Sequence, residues 1–163
     1  MPDEGPTDPA TNPAADPATD AAVQDGDEVD AQVTLYELVG GWPWFEQLVD
    51  RFYERVAEDP VLRPLYPEAD LSGARRRLTG FLVQYWGGPD DYSRARGHPR
   101  LRMRHHPYPI DTAARDRWFA HMRAALASGG LPEEVEEVVA DYFERASIAM
   151  INRPPVHLSL IHI

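Results

Sequence analysis

The sequence predicts an all-α fold, and three observations carry that prediction. Apolar residues recur every three or four positions in four segments of the chain. No segment shows the strict alternation of apolar and polar residues that is typical of a half-buried strand. Gly-Gly, Asp-Pro and Gly-Pro pairs separate the four segments, as expected at helix ends. The length of 163 residues suits one folded domain.

The first two predicted helices carry most of the large aromatic side chains. The first covers residues 44–56, and a short piece over residues 61–66 follows it. The second covers residues 71–86 and stops at a Gly-Gly-Pro run. Asp70 and Ser72 are both candidates for its N-cap, because their side-chain oxygens can accept a backbone hydrogen bond.

The last two predicted helices have clear starting signals. The third begins near Asp111 or Thr112 and ends at the Gly-Gly pair that follows residue 128. The fourth begins with Pro132 at its first position, and acidic residues follow in its first turn, where they complement the helix dipole. Its predicted apolar stripe consists of Val135, Val138, Val139, Tyr142, Phe143, Ala146 and Met150.

The two ends of the chain differ from the part between them. Residues 1–30 hold nine acidic residues, no basic residue, five prolines and no aromatic residue. Such a segment cannot bury enough apolar surface to offset its ordering entropy, so we predict a disordered acidic tail. Residues 31–153 form the predicted domain. Residues 154–163, which end in VHLSLIHI, receive no role.

Composition excludes several classes of protein. The chain has no Cys, which excludes disulfides, thiolate metal sites and covalently attached haem, and its 16 basic residues are all Arg. The formal net charge of −11 argues against nucleic acid as a partner. No apolar run approaches the roughly 20 residues needed to span a bilayer. The first residues lack the features of a secretion signal, so we expect a cytoplasmic protein.

Residues 89–109 are predicted to form a long loop between the second and third helices. Five arginines lie within residues 94–104. The segment fits a solvated surface loop, and it equally fits a site for carboxylates or phosphates, which Arg binds through two parallel hydrogen bonds. Both interpretations remain open on these residues alone.

Histidines supply the candidate metal ligands. If residues 101–106 are helical, Leu101 and His105 share one face, whereas His106 falls on the wetter side. A hydrogen-bonded structural histidine and a metal ligand both suit His105 on this evidence. His121, on the apolar face of the third predicted helix, suits a partly buried and hydrogen-bonded side chain.

Three strings of residues are distinctive: RFYERVAEDPVLRPLYPE at residues 51–68, FLVQYWGGPDDYSRARGHPRLRMRHHPY at residues 81–108 and RDRWF at residues 115–119. Through these strings the chain resembles, over residues 34–153, the truncated haemoglobins of group II, also called O-type. Gly-Gly pairs at residues 40–41 and 87–88 also fit the family. The resemblance implies a two-over-two helical sandwich around a non-covalently bound haem b.

The resemblance also implies roles for individual residues. His105 corresponds to the proximal histidine that binds the haem iron, and the RLRMR string before it favours this register over His106. Tyr53, Tyr66 and Trp118 correspond to hydrogen-bond donors that face the bound ligand, here called the distal donors. Ala74 and Leu78 correspond to distal-pocket positions, and Arg77, Tyr92 and Arg96 to positions that hold the haem propionates.

The implied function is the binding of dioxygen and related diatomic gases. A peroxidase or a nitric-oxide dioxygenase, served by an electron-donating reductase, would use the same haem and the same donors. A helical interaction module that has lost its cofactor is the third interpretation, although such a protein would be expected to lose His105 or to carry polar residues at Ala74 or Leu78. A monomer and a homo-oligomer both fit the sequence.

Overall fold

This computed structural model describes residues 33–153 of the chain, and this part contains seven α-helices and one 3-10 helix. No strand occurs in that range, so the all-α prediction is confirmed, and none of its helices is long and apolar enough to cross a membrane. The predicted tail (residues 1–30) and residues 154–163 lie outside the described part. In chain order the elements are α1 (Leu35–Leu38), α2 (Trp42–Ala57), the 3-10 helix (Arg63–Leu65), α3 (Ser72–Tyr85), α4 (Asp91–Arg96), α5 (Leu101–His105), α6 (Thr112–Ala127) and α7 (Glu133–Ala149).

The long helices begin in different ways, and only α6 has an N-cap residue whose side chain accepts a hydrogen bond. The Asp111 carboxylate accepts a hydrogen bond from the Ala114 amide at 2.8 Å, which makes Asp111 the N-cap of α6. The N-cap of α3 is Leu71, so neither predicted candidate occupies that position. Asp70 lies one residue before the N-cap, and its Oδ1 accepts a hydrogen bond from the Ser72 amide at 2.9 Å. Pro132 is the N-cap of α7, one position before its predicted place.

The predicted loop over residues 89–109 contains two short helices, α4 and α5. At six and five residues they are too short to show an apolar period, which is why the sequence pattern predicts a loop. Arg100, the N-cap of α5, has a φ of 42°, in the left-handed region. The chain therefore turns sharply just before the helix that carries His105.

The four long helices pack as two layers. Helix α3 packs on α2, α2 packs on α6, and α6 packs on α7. Phe45 and Phe52 of α2, Leu82 of α3, Met122 of α6 and Val139 of α7 are almost fully buried between them. This arrangement confirms the two-over-two sandwich of the truncated globin fold.

Two residues refine the predicted packing. Val138 is 50% exposed, so its place in the apolar stripe of α7 was predicted wrongly. The buried face of α7 runs through Val139, Tyr142 and Phe143, and Val138 lies at the solvent-exposed edge of this face. His121 behaves as predicted, with a half-buried ring and hydrogen bonds at both nitrogens.

The beginning of the domain packs against the turn that follows α3. The Tyr36 amide donates to the Trp86 carbonyl at 3.0 Å, and the Tyr36 ring stacks on Phe45. Gly87 has a φ of +107°, and a Cβ atom there would lie 2.6 Å from the Thr34 side chain. Only glycine fits this contact without strain.

Candidate functional site

A cavity of about 450 Å³ lies between the helices and is lined by residues of α2 to α7. Its walls are mostly apolar, and its volume is in the range of small-molecule sites. All nine residues that the sequence analysis assigns to the haem site line this one cavity, whereas His106 does not. They are Tyr53, Tyr66, Ala74, Arg77, Leu78, Tyr92, Arg96, His105 and Trp118.

His105 presents one ring nitrogen to the cavity. Its Nδ1 lies 2.7 Å from the carbonyl oxygen of Leu101, one turn earlier in α5. Because a carbonyl can only accept, Nδ1 carries the proton and Nε2 has the free electron pair. Burial lowers the pKa of His105, and the hydrogen bond to Leu101, which acts in the opposite direction, does not offset this. The ring is therefore neutral at pH 7, which is the form that binds metals.

Asn152 holds the helix that carries His105. Its Nδ2 donates to the His105 carbonyl at 3.2 Å and to the Tyr108 carbonyl at 2.9 Å. Its Oδ1 accepts from the Ile110 amide at 2.9 Å. Asn152 thereby connects the segment after α7 to the end of α5. Its role was not predicted, because an asparagine outside the periodic segments gives no sequence signal.

Tyr53 and Tyr66 lie edge to face, with ring centroids 5.6 Å apart. Burial raises the pKa of Tyr66, and hydrogen bonds from Tyr53 and Trp118 partly counteract this rise. Burial also raises the pKa of Tyr53. The hydrogen bond to Tyr66 raises this pKa as well, as expected where Tyr53 is the donor. The Tyr66 oxygen thus accepts from two donors, which leaves its own proton to donate to a third group.

Trp118 is fixed by the aromatic core of the sandwich. Its ring contacts Phe52 of α2 at a centroid distance of 5.1 Å and Phe143 of α7 at 6.0 Å. Ala74 and Leu78 of α3 supply an apolar wall to the same cavity. Ala74 is only 4% exposed and offers no polar group that could compete for the distal donors.

Charged residues line another part of the cavity. Arg77 donates to Glu68 Oε2 at 2.6 Å, and this bond is the main reason why the pKa of Glu68 is lowered. The Arg96 guanidinium carbon lies 5.8 Å from the centroid of the buried Tyr92 ring. Arg96 forms no ion pair within residues 33–153 and can therefore pair with an incoming carboxylate.

Three charged lining residues, Glu68, Arg104 and Arg115, were missed as site residues. Glu68 lies in a string that supports the family resemblance, but an acidic residue gives no signal for a carboxylate-binding site. Arg104 donates to the Pro99 carbonyl at 2.7 Å and to the Arg96 carbonyl at 2.8 Å. It braces the turn between α4 and α5, and its place in the arginine-rich segment was the available signal.

Comparison with known proteins identifies the family. Residues 34–152 match the family model of the bacterial-like globins. The group 2 truncated hemoglobin YjbI of Bacillus subtilis (strain 168) is 42% identical over 118 residues, which cover 72% of this chain and 88% of that protein. The chain belongs to the group II truncated haemoglobins.

Solved structures of this family agree with the fold. The thermostable hemoglobin of the actinobacterium Thermobifida fusca is 56% identical, with a TM-score of 0.73 over 76% of this chain and all of that one. The truncated oxygen-avid haemoglobin of Bacillus subtilis is 41% identical, with a TM-score of 0.68 over 73% of this chain and 99% of that one. As a truncated haemoglobin, the chain belongs to a family whose cofactor is haem.

The residues of the cavity fit such a cofactor. Haem combines a flat apolar ring, an iron that takes an axial imidazole, and two carboxylates at one edge. The cavity offers apolar walls, the neutral Nε2 of His105, and the guanidinium groups of Arg77 and Arg96. Glu68 already pairs with Arg77, so a propionate at this position would share that guanidinium with Glu68.

Proposed function

We propose that this truncated haemoglobin binds haem b through Nε2 of His105 and holds dioxygen with the distal donors. The observation that carries the proposal is one cavity lined both by His105, whose Nδ1 is hydrogen-bonded to the Leu101 carbonyl, and by the three donor side chains Tyr53, Tyr66 and Trp118. The hydrogen bond to Leu101 fixes the ring orientation and directs the electron pair of Nε2 away from α5.

The three distal donors divide the work of holding dioxygen. A haem held in this cavity would supply the iron to which the gas binds, and the gas would take on partial negative charge there. Tyr66 is the donor best placed to meet that charge, because Tyr53 and Trp118 already donate to its oxygen. A hydrogen bond to a charged acceptor contributes roughly 1.5–3 kcal/mol, so the bond from Tyr66 slows ligand release by about 10- to 150-fold.

The remaining site residues place the cofactor and keep the cavity dry. Arg77 and Arg96, together with the Tyr92 hydroxyl, bind the two propionates. Ala74 and Leu78 exclude water from the side of α3. Exclusion of water strengthens every hydrogen bond to the gas, since no solvent competes for the donors. Slow release favours capture of dioxygen over its bulk transport, in accord with the description of the Bacillus subtilis relative as oxygen-avid.

Haem retention tests the assignment of the iron ligand. We expect His105→Ala to lose haem or to hold it weakly, because the cavity then lacks its imidazole. The matched control is His106→Ala, which should keep the haem because His106 lies outside the cavity. The measurement is the visible spectrum of each purified variant, together with the rate at which apomyoglobin removes its haem. Loss of haem from His106→Ala and retention by His105→Ala would contradict the proposed register.

A further inference from the structure

A buried carboxylate lies behind the distal donors. The Asp59 side chain is 2% exposed and follows the end of α2. Its Oδ1 accepts from the amides of Val61 at 2.8 Å and Leu62 at 3.1 Å. Its Oδ2 lies 2.7 Å from Nε2 of His121 and 3.2 Å from the Arg117 guanidinium. Such a set of donors holds the carboxylate in one orientation.

The contacts of Asp59 and His121 indicate that Asp59 is ionised and that a proton lies on Nε2 of His121. Burial alone would raise the pKa of Asp59, but the hydrogen bonds from His121, the turn amides and Arg117 outweigh it and hold the pKa well below its usual range. Arg55 Nε donates to Nδ1 of His121 at 3.2 Å. Because a guanidinium can only donate, Nδ1 accepts and Nε2 carries the proton that is donated to Asp59.

Asp59 joins the two elements that carry Tyr66 and Trp118. On one side, the Asp59 carbonyl accepts from the Arg63 amide at 2.9 Å, and Arg63 Nη1 donates to the Tyr66 carbonyl at 3.0 Å. On the other side, Arg117 and His121 lie four residues apart on α6 and flank Trp118 along that helix. The carboxylate therefore fixes the 3-10 turn and α6 relative to each other.

We propose that Asp59 and His121 are positioning residues that set the distance between the Tyr66 hydroxyl and the Trp118 indole. This inference rests on the proposed function, in which Tyr66 donates to the gas and Trp118 donates to Tyr66. Hydrogen bonds weaken steeply when donor and acceptor separate or tilt, so a small shift of α6 against the turn reduces donation to Tyr66. It also reduces donation by Tyr66 to the ligand, because hydrogen bonds in a chain strengthen one another.

Substitutions at His121 test this link. His121→Leu removes the donor to Asp59 and is expected to raise the dioxygen off-rate about 5- to 20-fold, with a change of less than about twofold for carbon monoxide, which carries less charge. The C–O stretching frequency of the carbon monoxide complex should rise, since a weaker donor draws less electron density into the antibonding orbital of the C–O bond. His121→Gln keeps an N–H donor and should restore much of the wild-type behaviour.

A control variant and a second test variant accompany His121→Leu. Arg123→Gln removes a contact of 3.0 Å between α6 and Glu137 of α7, on the same helix but away from Asp59. It should leave both off-rates within about twofold of wild type, as expected for an exposed ion pair. Asp59→Asn keeps an oxygen for the turn amides but loses the charge, and it should raise the dioxygen off-rate as His121→Leu does.

A double variant separates positioning from general destabilisation. In a Trp118→Phe background, His121→Leu should change the dioxygen off-rate by less than about twofold, because the residue through which it acts is gone. The inference is overturned if His121→Leu and Asp59→Asn leave the dioxygen off-rate and the C–O stretch unchanged, even where the melting temperature falls. A full effect of His121→Leu in the Trp118→Phe background overturns it equally.

The same experiment distinguishes this inference from the proposed function. If Trp118→Phe raises the dioxygen off-rate and His121→Leu does not, only the positioning role of Asp59 and His121 fails. If Trp118→Phe itself leaves the dioxygen off-rate at the wild-type value, the proposed role of the distal donors fails first, and the positioning role fails with it.

Discussion

At the scale of single residues, the Tyr66 hydroxyl is the centre of the distal donors. It accepts from Tyr53 and Trp118, and a phenol oxygen that accepts twice has a better polarised O–H bond to offer. An isolated tyrosine in the same cavity would rotate its hydroxyl among several acceptors. The two neighbours restrict it to one direction before any ligand enters, which lowers the cost of binding.

Trp118→Phe tests the contribution of the indole. The change keeps most of the aromatic bulk between Phe52 and Phe143 and removes the only polar atom of the side chain. We expect the dioxygen off-rate to rise about 10- to 150-fold, which corresponds to a loss of roughly 1.5–3 kcal/mol. Stopped-flow displacement of dioxygen and carbon monoxide from both proteins is the measurement. Equal changes for the two gases would show that Trp118 acts through shape or access instead.

The sequence predicts which residues line the cavity better than it predicts which hydrogen bonds those residues form. The spacing of Leu101 and His105 places both on one face of a helical turn, and their hydrogen bond agrees with that spacing. The bond from Trp118 to Tyr66 is different, because the sequence analysis made the bound ligand the acceptor of the indole proton. Asp59 and His121 are 62 residues apart, and no local pattern indicates that they touch.

At the scale of elements, the turn between α2 and the 3-10 helix depends on the charge of Asp59. The sequence marks this turn only by its Asp-Pro pair, which predicts the end of a helix and nothing about a buried carboxylate. The long helices, by contrast, follow from period and capping signals. Helix α4 was missed as an element and α5 was considered only as one or two turns over residues 101–106, because such short helices depend on packing more than on pattern.

Asp59→Asn is expected to make stability less dependent on pH. At pH 7 it should lower the free energy of unfolding by about 3 kcal/mol, since it leaves Arg117 and His121 without their anion. The folded-state pKa of Asp59 is depressed, so its contribution is complete above the unfolded-state pKa of about 3.9 and is lost as the pH falls below it.

Urea unfolding at pH 5 and pH 3 measures this loss. The free energy of unfolding of wild type exceeds that of Asp59→Asn, and this excess should be about 1 kcal/mol smaller at pH 3 than at pH 5. The reason is that the unfolded wild-type chain takes up a proton that the folded chain does not. The matched control is Asp50→Asn, which changes an exposed carboxylate paired with Arg75 and should cost less than about 1 kcal/mol at pH 7. An Asp59 difference that is equal at both pH values would contradict the prediction.

At the scale of the whole molecule, most of the net negative charge lies outside the described domain. Residues 1–30 contribute nine acidic residues, whereas residues 31–163 contain 18 acidic and 16 basic residues. The domain therefore has a nearly balanced charge, and its first described contacts are those of Thr34 and Tyr36 with the turn after α3. Composition predicts this boundary, because apolar periodicity begins only beyond it.

Truncation tests whether the domain needs the acidic segment. A chain that begins at Ala31 should keep its visible spectrum and a melting temperature within about 3 °C of the full chain, since the contacts from Thr34 onward remain. A chain that begins at Trp42 is the control. It lacks α1 and the stacking of Tyr36 on Phe45, and it should melt at least about 5 °C lower. A comparable loss in the Ala31 chain would show that residues 1–30 pack on the domain.

The hydrogen bond between His105 and Leu101 has an electrochemical consequence. A backbone carbonyl attracts the Nδ1 proton less strongly than a carboxylate would, so the ring remains a neutral imidazole with little imidazolate character. An anionic ligand stabilises the oxidised form of a metal more than a neutral one does. We therefore expect a midpoint potential, measured by spectroelectrochemical titration, above those of haem proteins whose axial histidine donates to a carboxylate. If His105 binds the haem iron as proposed, the Leu101 carbonyl would favour the reduced protein, the form in which haem iron binds dioxygen.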